Sequence, residues 1–251
     1  MKKLYLFLAA LALAATSGFA QTRYYEFNYD SWDNLNKVEI SRDGDHIETS
    51  LGFAFPMYFG WSTLTGAEAN PGGPWARINS IYPGREYDQV GQNFVFELQL
   101  VDLRIRYDML YLSAGLRWTF MDYAFSNPAR TLARIDDAYW PVVISDPAYD
   151  FKKSKIHASY FGVPVRVGVE VGKATVYAGG SIEMLTEGYT KYRRPKTSSN
   201  IKQVFNPIRA TLEGGFSYAN FGVFVQCGLT PFFDPEYSPA RTLTFGLTLG
   251  L

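Results

Sequence analysis

Period-two alternation of bulky apolar with small or polar residues predicts an all-β chain, folded as a closed antiparallel up-and-down transmembrane β-barrel of about eight strands. Two further observations point the same way. Beyond residues 1–20 no apolar stretch approaches the roughly twenty residues a spanning helix needs. A closed sheet is then the one structure that can cross a bilayer, because it pairs every backbone N–H and C=O without water. The connections between alternating segments also switch between short and long, the pattern of short periplasmic turns and longer external loops.

The chain opens with Lys2 and Lys3, an apolar run from Leu4 to Ala15, and Thr16-Ser17-Gly18-Phe19-Ala20. That pattern predicts a signal peptide over 1–20, cleaved after Ala20 on Sec-type export to the bacterial outer membrane. The apolar run is too short to span, and no Cys follows the cleavage site to take a lipid anchor. Residues 21–46 form an N-terminal periplasmic segment, where Val38, Ile40 and the turn-like Asp43-Gly44-Asp45 suggest a short hairpin. Residues 47–251 are the barrel.

Its first strand carries Ile47, Thr49, Leu51, Phe53, Phe55, Met57, Phe59 and Trp61 on one face. In the second, Phe94, Phe96, Leu98 and Leu100 give way to Val101, Leu103, Ile105 and Tyr107, a change of phase that predicts a bulge at Leu100–Val101. A turn at Asp108-Met109 returns the chain through Leu110, Leu112, Ala114, Leu116, Trp118 and Phe120. A polar segment from Ser126 to Lys155 precedes Phe161, Val163, Val165, Val167 and Val169, which turn at Val171-Gly172-Lys173 into Ala174, Val176, Ala178, Ile182 and Met184. Beyond a polar loop at 193–203, Ile208 to Tyr218 and Phe221 to Leu229 flank a turn at Ala219-Asn220, and Leu243 to Leu251 is the last strand.

The apolar faces can meet lipid or line a soluble cavity, and the polar faces decide between the two. Lys is nearly confined to loops and turns, whereas mid-strand polar positions hold Arg, Asp and Glu among Gly, Ser and Thr. An eight-stranded interior has room for side chains and not for a water column. Arg104, Arg106, Arg117, Arg166 and Arg209 are therefore expected to form an interior salt-bridge network with Glu97, Asp102, Glu170, Glu183 and Glu213. Aromatic residues gather at both strand ends, as bilayer interfaces select. Tyr58, Phe59, Trp61, Tyr123, Phe125, Tyr160, Phe161, Tyr189, Phe232 and Phe233 lie on the loop side, with Tyr107, Tyr177, Tyr218 and Phe221 nearer the turns.

Charge narrows the partners. Lys and Arg number 24 against 24 acidic residues, and loss of Lys2 and Lys3 leaves a slightly acidic chain. Nucleic acid is a poor partner for it. Cys227 is the single cysteine, so no internal disulfide forms.

Several stretches resemble the Bacteroidetes-type outer-membrane β-barrel family often grouped as PorT-like. They are Lys153-Ser154-Lys155-Ile156 leading to Ser159-Tyr160-Phe161-Gly162-Val163-Pro164-Val165, then Val176-Tyr177-Ala178-Gly179-Gly180, Leu229-Thr230-Pro231-Phe232-Phe233 and Thr244-Phe245-Gly246-Leu247. The likeness runs from about Phe94 to the C-terminus, with Arg166 and Gly168 where the family is Leu-rich and Leu251 in place of a terminal Phe. It implies an eight-stranded barrel and, as one role, service to a protein-secretion or surface-assembly system.

Other candidate sites are sparse. Tyr139, Trp140, Val142 and Ile144 make an apolar patch in a long external loop, suited to contact a partner or to pack over the barrel mouth. Lys152, Lys153 and Lys155 at the outer rim suit anionic headgroups or glycolipid phosphates. A hydrolase would need His157 with a Ser and a carboxylate such as Asp150 in reach. Calcium would need Asp136, Asp137, Asp146 and Asp150 as oxygen ligands, at spacings that match no EF-hand. The reading is thus a non-enzymatic barrel with no metal or cofactor, whose partners are outer-membrane lipid, lipopolysaccharide and a surface or secretion-complex protein. A secretion accessory is the alternative, and an enzyme acting on lipid or peptide the third.

Overall fold

The computed structural model describes residues 37–41, 47–52, 56–66, 93–125, 128–135, 137–144, 146 and 148–250. The expected signal peptide, residues 21–36, His46, Phe53, Phe55, Asp136 and Leu251 lie outside these.

In chain order the strands are β1 (Lys37–Ser41), β2 (Ile47–Gly52), β3 (Met57–Thr65), β4 (Phe94–Tyr107), β5 (Leu110–Ala124), β6 (Arg130–Ile135) and β7 (Ala138–Val143). They continue with β8 (Lys153–Val171), β9 (Ala174–Arg193), β10 (Thr197–Asn200), β11 (Ile208–Tyr218), β12 (Phe221–Gly228) and β13 (Arg241–Leu249). Antiparallel ladders run β3–β4–β5–β8–β9–β11–β12–β13 and back to β3, so hydrogen bonds ring through eight strands. Closure leaves those strands no free edge over their paired lengths.

The first expected strand is divided. β3 pairs with Phe94–Leu98 of β4, while β2 pairs with Asp102–Tyr107 farther down and carries β1 on its other side. The hairpin suggested by Val38 and Ile40 is this β1–β2 pair, which belongs to the same sheet as the ring.

The predicted bulge on β4 is present. Gln99 faces Arg117 and Val101 faces Leu116, so Leu100 is the extra residue. Inward positions change there from Val95, Glu97 and Gln99 to Asp102, Arg104 and Arg106, the phase change visible in the sequence. A second bulge lies on β9, where Ser159 faces Glu187 and Tyr160 faces Leu185.

Three hairpin turns hold the strands at one end. Their first central residues, Asp108, Gly172 and Ala219, have φ of 52°, 62° and 54°, and the second ones are not left-handed. A positive φ at the first position matches the right-handed strand twist.

The described residues of the expected polar connection 126–155 include strands. β6 and β7 form a separate two-stranded sheet, and β8 already begins at Lys153. β9 likewise runs on to Arg193, and β10 pairs with it inside the segment expected to be loop.

Inside the ring, bulky groups lie across glycines of neighbouring strands. One rung reads Tyr111, Gly168, Tyr177, Gly215, Phe224, Gly246. A Cβ on Gly168 would come within 2.5 Å of the Tyr111 ring, and one on Gly215 within 2.6 Å of Tyr177. A ring this narrow packs its interior by alternating large with absent side chains.

Candidate functional site

All ten residues of the expected network lie in ion pairs, sorted by the ring into two groups. At the centre Arg117 is fully buried, with Nη1 2.6 Å from Glu213 and 3.0 Å from Glu97, and Nη2 2.9 Å from Glu183. Arg166 donates from Nε to Glu213 at 2.5 Å, and Arg209 from Nη1 to Glu183 at 2.6 Å. Three guanidiniums thus meet three carboxylates, so the buried charge balances. Buried ions need this pairing, since each costs several kcal/mol when alone.

Strand register explains how the partners meet. Arg117 on β5 and Glu183 on β9 flank Gly162 of β8, and Arg166 on β8 and Glu213 on β11 flank Gly179 of β9. With no side chain between them, each Arg reaches the carboxylate two strands away. Aromatic faces hold the guanidiniums as well, Arg166 lying 5.1 Å from the Tyr58 centroid and 5.3 Å from that of Tyr177.

The second group is at the turn end, where Asp102, Arg104 and Glu170 are half-buried and Arg106 is exposed. Arg104 lies 2.7 Å from Glu170 and 3.3 Å from Asp102, and Arg106 lies 3.7 Å from Glu170. Gln99 joins the two groups, accepting from Arg166 at 2.6 Å and donating to Asp102 at 2.9 Å. Gln226 serves similarly between Arg209 and Glu213. Counting charges alone passes over both glutamines. Their signal is parity, because Gln226 alternates with the apolar Val225 and Cys227.

The loop-side end is filled by apolar groups. Val95, Met121, Tyr123, Ile156, Tyr160 and Leu185 from the ring pack with Leu132, Tyr139, Phe205, Phe232 and Phe233 from the connections. This corrects the loop-side aromatic belt. Tyr58, Tyr123, Phe125, Tyr160, Phe232 and Phe233 are buried, and so is Tyr177 at the turn end. Grouping by height along the strand ignored parity. Phe59, Trp61, Phe161 and Tyr189 do lie on the outer face, as do Tyr107, Tyr218 and Phe221 at the turn end.

Of the loop patch, Tyr139 belongs to the packed cluster and accepts a hydrogen bond from Gln203 Nε2. Trp140, Val142 and Ile144 are half-buried. The β6–β7 hairpin is tied to the ring through Thr131, whose hydroxyl meets that of Thr190 at 3.0 Å.

His157 lies on the outer face. Its partner is Asp122, at 2.7 Å from Nδ1, with the ring stacked on Tyr189 at 4.5 Å. Asp150 pairs instead with Arg194, and the Ser159 hydroxyl, two positions along, meets that of Thr186 at 2.7 Å. Asp137 pairs with Arg134. Among the described residues no group of three or more His, Cys, Asp or Glu could hold a metal ion.

No family model matches the chain, and a search of curated proteins finds no relative.

Proposed function

We propose that the chain is a non-enzymatic integral outer-membrane β-barrel. In this reading the salt-bridged interior is a plug, and the loop-side elements contact a partner or the glycolipid layer. The observation that carries it is inverted polarity: six paired charges fill the centre, while Leu112, Val165, Val167, Ile182, Met184, Leu212, Val225 and Leu247 stand outside, each about half exposed or more. Water would not favour a continuous apolar surface of that kind, and lipid does. From Phe161 to Val171 the outer face of β8 rises about 33 Å along the strand at about 3.3 Å per residue. With a tilt of about 40° that becomes about 25 Å, the height of the apolar band in outer-membrane barrels.

Cys227 supplies the test, since its exposed thiol stands on the outer face between Val225 and Leu229. In the chain refolded into phosphatidylcholine vesicles, a water-soluble maleimide should leave Cys227 unmodified until detergent is added. A fluorophore placed on it beforehand should be quenched by brominated acyl chains. Free labelling in intact vesicles would overturn the membrane reading.

One observation favours the secretion-accessory alternative. Among the described residues β1 pairs on one side alone, leaving an edge to which a partner strand can add. A stoichiometric secretion component recovered with the chain from outer membranes would support that role.

A further inference from the structure

We infer that the outer face of the β8–β9 extension binds the phosphate groups of a phosphorylated glycolipid in the adjoining leaflet. The inference rests on the membrane reading above and names which lipid chemistry the barrel selects and where.

β8 and β9 run on together to Lys153 and Arg193 at the loop-side end, with β5 alongside β8 as far as Lys155. Two cross-strand rungs there hold only cations, Lys153 opposite Arg193 and Lys155 opposite Lys191. All four share the outer face, because the alternate positions Ser154, Ile156 and Thr190 are buried inside. Like charges placed directly opposite each other destabilise a sheet, so two such rungs in succession need an anion. The protein supplies little of it. Asp122 takes Lys155, and Asp150 takes the neighbouring Arg194. Glu187 lies two rungs nearer the apolar band, facing Ser159. Among the described residues Lys153, Lys191 and Arg193 have no ion-pair partner.

Position identifies the ligand as lipid-borne. The rung below the cations is His157 on Tyr189, a stacked amphipathic pair. Below that Ser159 faces the exposed Glu187, and then come the outward Phe161 and the strongly exposed Met184 and Ile182. Following the strand outward, a lipid would meet apolar surface along its chains, aromatic rings near its glycerol or sugar, and cations at its phosphates. That order matches the lipid's own polarity profile. A soluble polyanion would gain nothing from the lower half of the surface.

The test uses the full mature chain refolded in detergent micelles. Native mass spectrometry would follow retention of a bis-phosphorylated glycolipid and of its dephosphorylated form. The phosphorylated form should be retained preferentially, and inorganic phosphate in excess should not displace it. Combining Lys153→Ala, Lys191→Ala and Arg193→Ala should weaken retention by at least tenfold, since each surface cation is worth about fivefold. Lys173→Ala at the opposite end should change nothing. Where the triple variant fails to fold, Lys191→Gln alone should still weaken retention several-fold. Equal retention of the two lipids, displacement by inorganic phosphate, or unaltered retention by the folded variants would overturn the inference. Cys227 shielding in vesicles separates the two readings. A shielded thiol without phosphate preference refutes this inference alone, whereas an unshielded thiol refutes the membrane reading beneath it.

Discussion

Arg117 ties the interior together. Among the described residues it is the one side chain that ion-pairs with Glu97, Glu183 and Glu213, and it is fully buried. Arg117→Ala should leave three carboxylates short of a partner at once. Removing one member of a buried ion pair typically costs about 3–5 kcal/mol. The urea midpoint for unfolding from detergent micelles should fall accordingly, and a loss below about 1 kcal/mol would mean that water already solvates these groups. The identity of the buried ions was legible in the sequence, because alternation sets which residues share a face. Who pairs with whom was not. The glycine between Arg117 and Glu183, and the one between Arg166 and Glu213, become informative only once register is known. The aromatic residues teach the converse, since parity marks Tyr58, Tyr123 and Tyr160 as inward whereas their height along the strand points to a belt.

At the scale of elements, turns and bulges were the most readable features, and connections the least. Asp108-Met109, Gly172-Lys173 and Ala219-Asn220 all sit where the sequence pattern reverses. Ala219 holds a left-handed φ of 54° without the freedom of glycine. Ala219→Gly should therefore stabilise the β11–β12 hairpin, by about 0.5–1 kcal/mol in net effect. The same urea titration reads this as a midpoint raised above that of the unmodified chain, and a lowered midpoint would show that the turn holds no strain. The β6–β7 hairpin is not legible in the sequence because its strands are six residues each and lack clean alternation. Arg130, Thr131 and Leu132 are buried in succession by the ring mouth beneath them, a tertiary effect with no local signature. The overshoot of β8 and β9 was hidden similarly, since Lys and Ser at strand ends read as loop.

At the scale of the whole molecule, two regions of different chemistry fill the interior of the ring. The central lattice of three Arg and three Glu lies beneath an apolar cap built from ring and connections. Eight strands leave little room beside them. Planar-bilayer recording should show no steady conductance in the unmodified chain, and stable ion-sized channels would show that the plug leaves a path. The large-scale outcome was the most legible part of the protein. The eight ring strands, their direction and their facing follow from a period of two applied to every segment, and closure leaves none of them a free edge over its paired length.

The bulge at Leu100 carries a rule about how this gene can change length. Above it odd-numbered residues of β4 face the lumen, and below it even-numbered ones do. Deleting Leu100 would restore a regular ladder, with Gln99 and Val101 consecutive opposite Arg117 and Leu116, and would leave Asp102, Arg104 and Arg106 facing the lumen. A single-codon insertion or deletion elsewhere in a strand reverses the facing of the residues beyond it unless a bulge like that at Leu100 absorbs the change. Drift in length should accordingly accumulate in the connections, or arrive in the strands two residues at a time.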